Sequence, residues 1–546
     1  MTESGAVFEP PGKGEWRSLR DHFPRAVTPE YADLLPAAMY AGEAIVMEEY
    51  GLPVRSLVAG LARGHVYIAA EPLVGRPSDT LPPRAALWAA SRLVPAFRRR
   101  TKAAARCLAE RPWLADAERW YASEQGTWVA ANSALQAEVP ETMDPPALVD
   151  HLQRVRDHAA LGYQRHFSLH GPDMIPIGLL LVRAEDWGLD PGRVFSTLAG
   201  ASPVSTGKGP LLDALRGAVA AAGADPTSLD DLRAVAAAEL DAFLGDHGWR
   251  LVTGYDIDSL ALVELPSLVV NLARTEPDEI PDGHLAGEAA VAALLDDVES
   301  RHRPELTELI GDARATAGLR DDNGAVTAAW PAGLLRRAML TAGESLVARG
   351  ALTSAAHAIE VTVGELQALL EDRSDLDAAA VAARAAERAA RSALVPPLQL
   401  GPSVDIPLDA LPAPMRTVAR ALFALREAST APVGHRAALD GDGIGAAVYR
   451  GRACVATDPG DALDRLEPGD VLVAFGTTPA YNLVLSIVGA VVVEEGGLLS
   501  HAAVIARELG LSGVIGAAGA MDDIPDGALV EVDPVAGRVR VLSTTA

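Results

Sequence analysis

Gly496-Gly497-Leu498-Leu499-Ser500-His501-Ala502-Ala503-Val504-Ile505-Ala506-Arg507-Glu508-Leu509-Gly510 is the stretch whose reading decides the C-terminal fold of this chain. It follows an apolar run, Ala490-Val491-Val492-Val493, that reads as a buried strand, and it places His501 at the mouth of a short helix. A helix N-terminus offers backbone N–H groups and a positive dipole end, which suit a phosphate. Two glycines let the main chain approach that phosphate with no Cβ in the way. An imidazole there has one nitrogen for attack while a neighbouring hydrogen bond fixes the other. The pattern therefore predicts a histidine that carries a phosphoryl group.

Working outward, Leu466-Glu467-Pro468-Gly469-Asp470-Val471-Leu472-Val473-Ala474 and Thr477-Thr478-Pro479-Ala480 read as a strand and a turn. Downstream, Gly513-Val514-Ile515-Gly516 and Asp526-Gly527-Ala528-Leu529-Val530-Glu531-Val532-Asp533 read as closing strands. Together with the histidine stretch they resemble the phosphohistidine swivelling domain of PEP-utilising enzymes, among which are pyruvate phosphate dikinase, PEP synthase and rifampin phosphotransferase. Many members have Thr just before the Ser-His pair, where this chain has Leu499. The resemblance implies that His501 is the catalytic carrier and that Gly496 and Gly497 cradle the phosphoryl. It implies that Ser500 and Thr478 hold the imidazole, and that Arg507 pairs with phosphate or with a docking partner. The other reading of His501 is a structural hydrogen bond beside a helix cap.

With 546 residues the chain is long enough for about three or four domains, or two large ones. Hydrophobic residues at 49% and charged residues at 22% describe a globular composition, and the abundant Ala, Leu, Arg and Glu favour helix. A formal net charge of −26 argues against a nucleic-acid surface, which wants a basic stripe. The two cysteines, Cys107 and Cys454, exclude a disulfide framework and a cysteine-rich zinc site. The N-terminal residues lack the basic and apolar regions of a signal peptide, and no apolar run is long enough for a membrane span. A cytoplasmic protein is expected.

The expected organisation is multidomain: residues 1–395 a mainly α-helical acceptor domain, 396–432 a proline-rich connector with one helix, and 433–546 a small α/β swivelling domain. Within the first part the spacing predicts a helix around Tyr31–Tyr50 and a short strand at His65-Val66-Tyr67-Ile68. Leucines in Leu211–Leu215 and Leu232–Leu240 recur on one helical face, and Val381–Leu394 reads as a long exposed helix. Prolines on both sides of Met415–Ala428 suggest a semi-rigid connector. Leu529–Val532 and Arg538–Val541 alternate polar and apolar as a half-buried hairpin should.

The helical region also resembles the substrate domain of rifampin-phosphotransferase-like proteins. The blocks that carry this are Trp16 with Asp21–Pro29, His247-Gly248-Trp249-Arg250, Tyr255-Asp256-Ile257-Asp258, Glu264-Leu265-Pro266, Arg336-Arg337 and Glu360–Leu366. Trp249 stands where those proteins have a histidine. The resemblance implies that this region binds the phosphoryl acceptor. Arginine suits phosphate bidentately, so Arg250 and Arg336 are candidates for stabilising the transferring group, and His22 or His247 for deprotonating an acceptor hydroxyl. A structural alternative stays open, in which Arg250 forms a buried ion pair with Asp256 or Asp258. Two further patterns are set aside. His166-Phe167-Ser168-Leu169-His170 has the spacing of a metal-binding helix but lacks the glutamate of His-Glu-x-x-His and an evident third ligand, so no metal is expected. Gly200 with Gly207-Lys208-Gly209 is spaced too widely for a P-loop and has glycine where Ser or Thr is required.

In the resembled proteins an ATP-grasp domain charges the histidine. Here the substrate-domain pattern opens already at Trp16, so a separate ATP-grasp protein is the expected partner, with ATP and Mg²⁺ bound there and no cofactor on this chain. The expected function is a phosphotransferase component that passes a phosphoryl group from His501 to a small hydroxylated acceptor in the helical region. A non-catalytic ligand-binding or regulatory protein derived from such an enzyme is the alternative, and a truncated fragment is a third reading.

Overall fold

The computed structural model describes residues 7–20, 22–201, 209–274, 283–404, 406–430, 439–445, 447–457, 459–477, 481–485, 487–497 and 500–543. They are mainly helical and carry two sheets. The chain divides into two compact units. One takes residues 1–171, 255–259 and 323–419, the other 172–254, 260–322 and 420–546. No helix among the described residues is long and apolar enough to cross a membrane. Both cysteines are buried free thiols.

The first unit is built around the long helices Pro29–Glu49, Pro145–Ser168 and Trp330–Ala348. The first starts where the sequence says it should. Thr28 is extended and its side chain accepts from Tyr31 N, and Pro29 fills the first turn, where a missing N–H costs nothing. Tyr31, Leu34, Leu35, Ala38, Met39 and Val46 then recur at helical spacing and are buried. Tyr31 OH donates to Tyr163 OH at 2.9 Å, and Tyr163 OH donates to the Tyr255 carbonyl at 2.6 Å. Four strands form an antiparallel sheet in the order β2-β3-β1-β4, with β1 Trp16–Ser18, β2 Val54–Ala62, β3 His65–Pro72 and β4 Gln399–Leu400. The short strand expected at 65–68 is thus half of a long hairpin. Arg63 and Gly64 both have positive φ, 51° and 84°, the paired left-handed turn whose twist suits a hairpin. The proline-rich stretch expected as a connector contributes β4 to this sheet, and its helix, Ala413–Thr430, is shared between the units at residues 419 and 420.

In the second unit a seven-stranded sheet has the order β11-β10-β6-β7-β8-β9-β5. The strands are β5 Asp442–Ile444, β6 Tyr449–Ala456, β7 Val471–Ala474, β8 Ala490–Val493, β9 Ser512–Ile515, β10 Leu529–Asp533 and β11 Arg538–Ser543. The middle four are parallel, and β7 and β8 are buried along their whole length, as strands covered on both faces must be. Their side chains sort by the period of two. Leu472, Ala474, Val491 and Val493 share a cluster with the His501–Leu509 helix and with Leu212, Leu215, Leu232, Leu240 and Phe243. Val471, Val473, Ala490 and Val492 face the other way, with Ile524, Val530, Val532 and Val539. The leucines spaced for one face in Pro210–Ala222 and Leu229–His247 therefore belong to the same core as the α/β module. The expected C-terminal hairpin is β10 with β11, pairing Val530 with Val541 and Val532 with Val539.

Candidate functional site

Backbone hydrogen bonds bring the exits of β7 and β8 together, Glu494 N to Ala474 O at 3.0 Å and Glu495 N to Phe475 O at 2.7 Å. The loop after β7 then delivers Thr477, and the loop after β8 delivers Gly496, Gly497 and the helix His501–Leu509. This is the carboxyl edge of a parallel sheet, where open α/β folds place ligands. Thr477 Oγ1 lies 2.9 Å from His501 Nδ1. Thr477 is buried and His501 half-buried, so one ring nitrogen is anchored from inside.

The helix start is built by three residues that the sequence singled out. Ser500 is the N-cap and its hydroxyl accepts from Ala503 N at 3.4 Å. Gly497 is buried and its carbonyl accepts from Ser500 N at 2.9 Å. Gly496 has φ +133°, and a Cβ there would sit 2.8 Å from Ser500 Cβ. Only glycine lets this turn close over the cap. Gly510, at φ 65°, ends the helix in the left-handed cap that glycine favours.

Arg507 turns back along its own helix and donates to Ala503 O at 3.3 Å. Burial pushes its pKa down to about 10, against the attraction of Asp190 and Asp442, so it stays a cation at neutral pH. Glu508, also buried, accepts from Gly200 N at 2.7 Å. Thr478 lies outside the described residues, as do Gly207 and Lys208 of the P-loop-like segment. The imidazole-positioning residue that sequence reasoning missed is Thr477. Its signal was its place directly after Phe475-Gly476, at the end of an all-buried strand.

The four acceptor-site candidates do not come from one unit. His22 and Arg336 belong to the first, His247 and Arg250 to the second. In the first, His22 stacks on Tyr255 with ring centroids 5.4 Å apart, and Arg336 Nη1 donates to the Ile257 carbonyl at 2.8 Å. Arg336 is thus committed to holding the 255–259 segment. That segment is also gripped through its carboxylates. Asp256 accepts from Thr28 N and Thr28 Oγ1, each at 2.7 Å. Asp258 accepts from Arg25 at 3.1 Å and from Arg388 at 2.8 Å, and Arg388 also reaches Glu360 at 2.7 Å. Burial works against the charge on Arg388, but Glu360 and Asp258 raise its pKa above the ordinary value. The ion pair expected for Arg250 is therefore corrected. Asp258 is taken by Arg25 and Arg388, and Arg250 pairs with Asp246, four residues before it on the same stretch of chain. Beside Arg250, His247 stacks on Phe243 at 4.8 Å. Burial, then the Arg250 charge, push its pKa down to about 4, so this imidazole is neutral at physiological pH.

Residues 466–537 match the mobile domain of PEP-utilising enzymes. An uncharacterized protein of Mycobacterium tuberculosis is 33% identical over 217 residues, 40% of this chain and 22% of its own length. A rifampicin phosphotransferase of Streptomyces sp is 29% identical over 319 residues, 56% of this chain and 34% of its own. The phosphoenolpyruvate synthase of Aeropyrum pernix is 41% identical over 92 residues, 17% of this chain and 11% of its own. The chain thus spans about a fifth of the first relative's length and about a third of the second's. Residues 466–537 thus carry the mobile domain of PEP-utilising enzymes.

Proposed function

We propose that this chain is a phosphotransferase component in which His501 carries a phosphoryl group to a small hydroxylated acceptor bound among the helices of residues 1–395. The observation that carries the reading is the Thr477–His501 contact at 2.9 Å, at the N-terminus of a capped helix entered through Gly496-Gly497. With Nδ1–H donating to the Thr477 hydroxyl, the imidazole lone pair is on Nε2, the nitrogen that attacks phosphorus. An ATP-grasp protein with ATP and Mg²⁺ supplies the phosphoryl. The γ-phosphoryl P–O bond breaks as the Nε2–P bond forms, and ADP leaves. In the second step the acceptor oxygen takes the phosphoryl, the Nε2–P electron pair returns to the ring, and the hydroxyl proton is released. Helix-start amides and the positive dipole end favour the phosphorylated state by about 0.3–1 kcal/mol. The rifampicin phosphotransferase relative supports a hydroxylated acceptor class and makes rifampicin a reasonable first probe.

The test is the rate of acid-labile labelling by [γ-³²P]ATP with Mg²⁺ and a candidate ATP-grasp protein. His501→Ala should take up no label. Thr477→Val should label about tenfold more slowly, the size expected for one orienting hydrogen bond of about 1.4 kcal/mol, and Thr477→Ser should recover. Equal label in wild type and His501→Ala would overturn the proposal. Absence of label with every ATP-grasp protein tried, while phosphoramidate also fails to modify His501, would overturn it as well.

A further inference from the structure

Residues 80–109 carry seven basic side chains and no acidic one, in a chain whose formal net charge is −26. They span two consecutive helices of the first unit, Arg84–Leu93 and Pro95–Glu110. The second helix buries Phe97, Ala103, Ala104 and Cys107 on one side and exposes Arg98, Arg99, Lys102 and Arg106 on the other. Arg98, Lys102 and Arg106 follow one another at four-residue spacing, a line about 12 Å long at about 1.5 Å per residue. Among the described residues none of these four cations has an ion-pair partner. Beneath them Arg100 is buried, and its Nη1 has no hydrogen-bond acceptor among the described residues. The acids that act on this helix are Glu48 on Arg100 and Glu49 on Arg106, both at the end of Pro29–Glu49. Glu110 stands in its own last turn. These carboxylates are outnumbered by Arg98, Arg99, Arg100, Lys102 and Arg106, so the face stays positive. The helix itself gains nothing from that charge. Arg98, Arg99 and Arg100 crowd its start, the positive end of the dipole, where acidic residues would stabilise it.

The preceding helix adds apolar surface. Trp88 is 53% exposed, and Leu93, at the last position, 73%. Arg92 Cζ lies 4.3 Å over the Trp88 ring, and Arg92 Nη1 donates to the Ala410 carbonyl at 2.8 Å, so the indole is held at the surface. Elements that lie on bilayers combine basic residues with tryptophan and leucine in this way. We propose that this face rests on an anionic phospholipid surface. Arg98, Arg99, Lys102 and Arg106 meet the headgroup phosphates, and Trp88 and Leu93 enter the interfacial layer. A nucleic acid would use Trp88 as a stacking platform, yet Arg92 already covers one face of the ring, and Leu93 offers a polyanion nothing. The acidic remainder of the chain does not prevent the contact, because at physiological salt charges more than about 8 Å from the lipid are largely screened. Such a contact needs no membrane-spanning helix, and it does not rest on phosphoryl transfer by His501.

The experiment is co-sedimentation of the full chain with vesicles of equal parts phosphatidylserine and phosphatidylcholine, beside vesicles of phosphatidylcholine alone. Binding is expected to the first and not to the second, weakening as salt rises from about 0.05 to about 0.5 M. Arg98→Gln should weaken it about fivefold, the contribution of one charge near an anionic surface. Glutamine at Arg98, Arg99, Lys102 and Arg106 together should weaken it on the order of several hundredfold. Trp88→Ala and Leu93→Ser should each weaken it severalfold at constant charge. Arg301→Gln, at an exposed ion pair outside this face, should change nothing. Should a variant fail to fold, the unsubstituted chain serves: phosphatidylserine vesicles should shield Lys102 from acetylation, and phosphatidylcholine vesicles should not. No binding to phosphatidylserine vesicles at low salt, equal binding to both vesicles, undiminished binding by the quadruple variant or no such shielding overturns the proposal. So does tighter binding of a single-stranded oligonucleotide, which would assign the face to nucleic acid. Lipid-free self-association that the quadruple variant loses would assign it to a second copy of the chain and overturn the proposal as well.

Discussion

Asp256 is the residue at which the interior chemistry of the first unit is most exposed to pH. Burial, followed by the nearby Asp258 charge, pushes its pKa from 3.8 up to about 7, against the hydrogen bonds from Thr28. The folded protein then holds this proton more tightly than the unfolded chain does. The stability it contributes is whole below about pH 4 and is lost as pH rises through about 7. Asp256→Asn should flatten the dependence of thermal midpoint on pH across that window. The substitution should also cost about 1–3 kcal/mol, because an amide N–H₂ would face Thr28 N–H where a carboxylate oxygen now accepts. An unchanged slope between pH 4 and 7, read by calorimetry, would count against this assignment.

The His501–Leu509 helix has nine residues, too short to hold itself in water, so its caps and its buried face matter more than its propensity. Ser500→Ala should lower stability by about 1 kcal/mol, the usual contribution of a serine N-cap. Gly496→Ala should do at least as much, since its methyl would press on the same serine. Both changes are read as shifts in denaturant midpoint, and a neutral Gly496→Ala would contradict the packing described. This helix, with its glycine entry, cap and terminal Gly510, was fully legible in the sequence because every signal in it is local. So were the helix that begins at Pro29 and the β10–β11 hairpin. The hairpin partner β2 was not, because Val54–Ala62 lacks a clean alternation, and the Arg63-Gly64 turn is not among the usual dipeptide signals. Nor were the partners of Asp258, since Arg25 and Arg388 lie far from it in sequence and nothing local announces them. The choice of Thr477 over Thr478 depended on where β7 ends, which periodicity places only to within a residue or two.

At the scale of the molecule, the two units do not follow one another along the chain. Their boundaries fall at residues 171/172, 254/255, 259/260, 322/323 and 419/420. A polypeptide ending at residue 395, where the sequence alone would place a domain edge, would lose β4 and the buried Leu400, Leu411 and Met415 from the first unit. From the second it would lose every sheet strand, leaving Leu212, Leu232, Leu240 and Phe243 without the half of their cluster that runs from Ile444 to Ile515. Residues 1–395 expressed alone should therefore bind a hydrophobic dye and show no cooperative melting in the near-ultraviolet. A sharp transition in that fragment would refute the division.

The grip on residues 255–259 has a further consequence for how the polypeptide is made. Asp256 and Asp258 leave the ribosome long after Arg25 and Thr28 but well before Glu360 and Arg388. Until the last of these emerges, Asp258 has Arg25 but lacks the second guanidinium, which also ties it to Glu360, and burying carboxylates short of that cation is costly. The first unit must then wait, partly open, through the synthesis of more than a hundred further residues. Its nascent form is the state most in need of a chaperone, and slowing translation would not help it, since the missing guanidinium has yet to be made.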